Sequence, residues 1–363
     1  MQRRQLLRTL PGLALAGAAG CLGDGGSEGD GTGTPTPTPT ATPTETAVTD
    51  GPDGVYVQSY LEGMAMPESG MSMGGDYSFG LMLAVPHNFW TVTGSDLSRH
   101  QREDSQSVHL MVQVWDEETG VVLPESGVSV EILQDGETVS EEVIYPMLSQ
   151  RMGFHYGGNF TLAGDGSYTA RVSASPLSAE PMGSFAGRFD EPTTVDLGFE
   201  FNQAVRDQLT IEELDQAGDP GAIRPMDMGM MPTGVATSPG ELPGETVGTQ
   251  SVDEAEFVLK AAENELAGDA GAYLYVSART PHNDLVLPMM SMDATVTRGG
   301  EDVYDGQLSR AIHPDIQYHY GTRVDSLESG DEVEITVVTP PQVGRHEGYE
   351  TAFLRMDGAS FTA

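Results

Sequence analysis

The sequence predicts an all-β protein, two tandem β-sandwich modules with one short helix preceding the second. Three observations carry this. Apolar residues alternate over short runs, as where Val108, Leu110, Val112 and Val114 share one face and His109, Met111, Gln113 and Trp115 the other. Turn signals separate such runs, as where Gln134-Asp135-Gly136 divides 127–133 from 137–144. The chain also repeats itself, ungapped, at an offset of 164 residues: Val122-Leu123-Pro124 falls on Val286-Leu287-Pro288, His155-Tyr156-Gly157 on His319-Tyr320-Gly321, Gly166 on Gly330 and Pro176 on Pro340.

In chain order, residues 1–21 come first. Arg3-Arg4-Gln5-Leu6-Leu7-Arg8, an apolar run from Leu13 to Ala19 and then Gly20-Cys21 resemble a twin-arginine signal peptide ending in a lipobox. The run is too short to span a bilayer, which takes about 20 residues. Cys21 would carry the lipid and anchor the mature chain to the extracellular face of the cell membrane. Residues 22–54 form a Thr/Pro-rich disordered stalk, since such composition cannot bury a core. Residues 55–211 form the first sandwich, with strands expected at 77–85, 108–115, 127–133, 137–144, 166–174 and 193–201. Residues 212–250 read as a Met/Pro/Gly-rich linker. Ser251 with Glu254 suggests a capping box and Gly268 a stop, which predicts a helix over 251–267. The second sandwich repeat fills out 251–363.

Composition narrows the function. Among 363 residues, 55 are acidic and 17 basic, a net charge of −38, and Lys260 is the only lysine. Self-repulsion on that scale is relieved where salt screens it, at a Debye length of ~3 Å in 1 M salt. This is the surface expected of a halophile, archaeal in type. With no basic cluster to neutralise phosphates, nucleic acid is excluded as a partner. One cysteine excludes an intrachain disulfide. The chain has no phosphate loop, nucleophile elbow or His-Glu-x-x-His, and an enzyme is not expected.

Histidine is scarce and methionine abundant, 8 against 18. Imidazole suits divalent iron, copper and zinc, and thioether favours softer ions. The first module offers His109, Met147 and His155, with Met111 on the same strand face as His109. The bland alternative is a solvated strand histidine and a turn histidine bonded to backbone. Tyr145-Pro146-Met147, then Gly153-Phe154-His155-Tyr156-Gly157-Gly158-Asn159, then Gly164-Asp165-Gly166-Ser167-Tyr168 resemble the periplasmic iron-transport lipoproteins. The likeness spans about 63–201. It implies an immunoglobulin-like sandwich that binds Fe(2+) or copper beside an iron permease or similar membrane transporter. It places Met147 and His155 at family ligand positions and His109 at the first histidine position. Met111 stands where the family has Glu, and the interval from Met147 to His155 is one residue longer.

The resemblance further implies a dimer in which a late histidine reaches the neighbouring subunit's site. Here His346 follows Pro340-Pro341 in the second module, so one chain could form a pseudo-dimer, a homodimer being the alternative. Secondary metal candidates are His282, His313 and His319 in module two, and Met64, Met66, Met71 and Met73 before the first strand. The second module has Tyr273 where His109 stands and Ala311 where Met147 stands. Asn159-Phe160-Thr161 is an N-glycosylation sequon at Asn159, which also has a structural reading because it matches the family's Asn. The expected function is a surface lipoprotein that passes Fe(2+) or copper to a transporter. The alternative is a structural or adhesive lipoprotein without metal.

Overall fold

The alternation seen in the sequence becomes stacked antiparallel sheets, and the protein is all-β. The computed structural model describes residues 51–363, so the signal segment, the lipid on Cys21 and all but the last residues of the stalk lie outside the described residues. Among the described residues no helix is long and apolar enough to cross a membrane.

The first sandwich faces a four-stranded sheet, in the order Thr193–Phe201, Gly166–Ala174, Ser129–Gln134, Glu137–Ser140, onto an eight-stranded one. The latter runs Met71–Gly74, Tyr77–Ala84, Val108–Trp115, Gly153–Phe160, Tyr145–Ser149, Gly344–Arg345, Phe89–Thr93, Asp96–His100. Asp135 and Gly136 turn the expected hairpin with φ of 53° and 84°, the left-handed values a tight two-residue loop needs. In the second sandwich the long strand Glu301–His313 serves both layers. Its first part pairs with Ser291–Arg298 and its last part with Gln317–Val324. One apolar cluster runs from Phe79 and Leu110 of the first module to Leu274 and Phe353 of the second.

The modules also exchange short strands. Gly344–Arg345 from the second runs parallel to Met147–Leu148 of the first. Glu180–Pro181 from the first runs parallel to Ala311–Ile312 of the second. All four positions differ by the same 164 residues. The following amides repeat the relation, His346 N donating to Leu148 O at 3.1 Å and Met182 N to Ile312 O at 2.8 Å. The repeat is thus also a pseudo-twofold relation in space.

Three expectations are corrected. The helix predicted over 251–267 is absent: Glu245–Val252 and Ala255–Ala262 form a β-hairpin. The supposed capping box is its turn, where Asp253 and Glu254 have φ of 41° and 64°. Helix-forming Ala, Glu, Leu and Lys at 255–262 mask a strand whose Phe257 and Leu259 enter one core and Val258 and Ala262 another. Secondly, the 212–250 linker is not a bare tether. Its end is the first strand of that hairpin, and Met228 and Met231 are buried on the first module. Thirdly, the face of His109, Met111, Gln113 and Trp115 is not solvated. Every residue of Val108–Trp115 is buried.

Candidate metal centre

Four imidazoles meet on the covered face of the eight-stranded sheet. His109 projects from Val108–Trp115, and His155 from Gly153–Phe160 opposite Met147. His87 lies on the loop after Tyr77–Ala84, and His346 follows the exchanged strand Gly344–Arg345. The tightest set is His87, His109 and His346, whose ligand nitrogens all lie within 4.8 Å of one another. His155 touches the set through His346, at 5.1 Å between ring centroids. Met147 is fully buried beside it. A Cβ on Gly157 would stand 2.8 Å from His109 Nε2 and 2.9 Å from Met147 Sδ. The glycine therefore leaves an open cradle onto which nitrogen and sulfur both look.

Hydrogen bonds fix how the rings present themselves. Asn159 Nδ2 donates to the His87 carbonyl at 2.9 Å, which orients its amide and leaves Oδ1 to accept from His109 Nδ1 at 2.8 Å. His155 Nδ1 donates to the Gly153 carbonyl at 3.1 Å and His87 Nδ1 to the Val85 carbonyl at 3.0 Å. With the proton held on Nδ1 in these three rings, Nε2 carries a free lone pair. Nε2 of His87, His109, His155 and His346 are all buried without a hydrogen-bond partner. A buried polar atom left unpaired costs about 1–3 kcal/mol. Four in one cluster form an expensive arrangement unless a cation accepts the lone pairs.

Electrostatics keep most of the set neutral. Burial, then the neighbouring imidazoles, holds His109 and His346 well below 6.5, and burial lowers His155 to about 4. Burial also works to lower His87, but the Glu62 carboxylate, 2.8 Å from its Nδ1, outweighs it and leaves that ring raised. Carboxylate, imidazole and open Nε2 form the chain that orients histidine ligands on metals.

Of the residues proposed from sequence, His109, Met147, His155 and His346 converge, and Met111 lines the edge of the same site beside His346. Met64 packs nearby, whereas Met66, Met71 and Met73 are exposed and stand apart from it. His282 lies on an exposed turn. Asn159 is buried with both amide atoms engaged, so the glycan expectation is corrected in favour of its structural reading. His87 and Glu62 were not foreseen. The tripeptide Pro86-His87-Asn88 was visible only as a likeness to Pro281-His282-Asn283, and Glu62 was one carboxylate among 55.

The second module repeats the scaffold with other side chains. His319 occupies the place of His155, Tyr273 that of His109, Ala311 that of Met147 and Met182 that of His346. The Tyr273 hydroxyl stands 3.0 Å from His319 Nε2 and 3.3 Å from Met182 Sδ. The lone pair orphaned at His155 is therefore met by a hydroxyl at His319. His313 lies apart, beside Gly183, its Nδ1 accepting from the Asp315 amide.

Residues 240–362 match a family described as a domain of unknown function, DUF7350. No curated protein sequence matches the chain. Similar solved structures include FetP of uropathogenic Escherichia coli strain F11 in its as-isolated form, with TM-score 0.32 and 18% identity over 38% of this chain and 95% of that one. A copper-bound variant of the same protein gives TM-score 0.28 and 18% identity over 39% and 97%. Likeness at this level leaves the chemistry of the present chain to its own geometry.

Proposed function

We propose that the protein binds a transition metal at the His87, His109, His155 and His346 cluster, with Met147 as thioether ligand and Glu62 orienting His87. The observation that carries this is the set of four buried Nε2 atoms without hydrogen-bond partners, three of them on rings whose ligand nitrogens lie within 4.8 Å of one another and the fourth, on His155, beside His346. Imidazole nitrogens with a thioether suit copper or Fe(2+), and the sulfur biases the set toward copper. The metal is cargo, held by ligand exchange without catalysis. Anchored through Cys21 outside the cell, the protein would hand it to a membrane transporter.

Elemental analysis of the anaerobically purified full chain tests the reading. One copper or iron per chain is expected at this centre, and His109→Ala should lose that equivalent. Wild-type protein that takes up no metal, or a variant that keeps it, would return the chain to the structural or adhesive alternative.

A further inference from the structure

Methionines gather on the same outer face as the imidazoles. Met82, Met111, Met152, Met228 and Met231 are buried there, with Ala84 and Trp115 completing the cluster. Met64 and Met226 pack against them half-buried. Valine, leucine and phenylalanine fill the first module's core, and the methionines of the large core cluster, Met290, Met292 and Met356, belong to the second module, so within the first module thioether enrichment is local to this face. Met82 and Met111 face each other across paired strands, and Met111 stands opposite the bare Gly157 onto which His109 and Met147 look. The thioethers begin where the imidazoles end.

Between the two lies a cavity of about 20 Å³, whose walls include Met64, Met111, Met152, Glu62, His346 and Arg151, the last donating through Nη1 to the Glu62 carbonyl at 3.1 Å. That is room for one atom-sized guest, and close-packed interiors leave few such voids. His346 Nε2, in one of its wall residues, is buried without a hydrogen-bond partner, and Glu62, in another, holds its Oε1 2.8 Å from His87 Nδ1. Methionine used only to fill volume leaves no such gap beside it.

We propose that this cavity is a second ion site, for a soft monovalent cation of the copper(I) class, held by Met64, Met111 and Met152 with Glu62 balancing its charge. Thioether sulfur selects copper(I) over harder ions. The inference rests on the proposed imidazole centre only in that the two share His346 and Glu62.

Silver(I), a redox-inert stand-in for copper(I), is titrated into the full chain in chloride-free buffer. Wild type should bind two equivalents. The near-isosteric double variant Met64→Leu/Met152→Leu should bind one, and His87→Ala/His109→Ala one. A methionine variant that keeps every equivalent the wild type binds, at unchanged affinity, overturns the thioether site. A histidine variant that keeps two overturns the imidazole centre instead. If the methionine variant does not fold, X-ray absorption of wild type loaded with two copper(I) decides. A sulfur-dominated shell for part of the copper is expected, and no more sulfur than Met147 alone supplies is the overturning result.

Discussion

The two modules present the same backbone corner with opposite chemistry. In the first, His109 Nε2 and Met147 Sδ face the bare Gly157, and His346 arrives from the other module. In the second, the cradle is filled: a Cβ on Gly321 would stand 2.3 Å from the Tyr273 hydroxyl, and Met182 arrives in place of His346. Both keep a buried histidine bonded through Nδ1 to the carbonyl two residues before it. That His-Tyr-Gly strand is thus architecture. What separates a binding centre from a plugged one is whether His or Tyr stands across from it, and whether the gap is left open.

The largest expected effect comes from converting one corner into the other. Tyr273→His with Ala311→Met restores imidazole and thioether beside His319 and Met182. Titration of the full chain with silver(I) should show one equivalent more than the parent; an unchanged count would mean that the corner lacks more than these two side chains. A smaller effect is expected at Asn159, which orients His109 in the first module, whereas Arg323 stands at the equivalent position in the second. Asn159→Leu frees the ring and should weaken metal affinity about 10–100-fold, as loss of an outer-shell partner does. Unaltered affinity in a competition assay would remove Asn159 from the centre.

The smallest effect is in acid and belongs to the plugged corner. Burial pushes His319 from 6.5 down to about 4. Above pH 6.5 the ring is neutral whether the chain is folded or not. As pH falls below that toward about 4, the unfolded chain takes up a proton the folded chain refuses, so stability declines. Between pH 6.5 and 5.5 His319 should account for about 1 kcal/mol. Denaturant melts of metal-free protein should show that slope shrink in His319→Gln; an equal slope would assign the acid sensitivity to other groups.

Much of the scaffold was legible because period-two alternation is a strong signal. Val108–Trp115 and Gly166–Ala174 lie where the pattern puts them. Ala255–Ala262 was not, because a strand buried on both faces loses its alternation and helix-forming residues mislead. In the centre, His109, Met147, His155 and His346 were readable through the family resemblance. His87 was not, since a loop residue has no periodicity to mark it. The exchanged strands are two residues long, too short for any pattern, although the 164-residue offset carries Glu180-Pro181-Met182 onto Gly344-Arg345-His346. Pro225 to Met231 reads as a tether by composition, yet its Met228 and Met231 are buried against Met82, Met111 and Trp115.

The origin of His346 has a thermodynamic consequence. Three of the imidazoles belong to one module and the fourth to the other, so metal affinity and module docking are linked quantities. Whatever free energy the ion contributes through His346 is also free energy that holds the modules together. By the same linkage, any force that pries the Gly344–Arg345 strand from Tyr145–Ser149 lowers the affinity for the ion. On the proposed reading the centre would be a clasp as much as a container, and loosening the clasp would let the ion go.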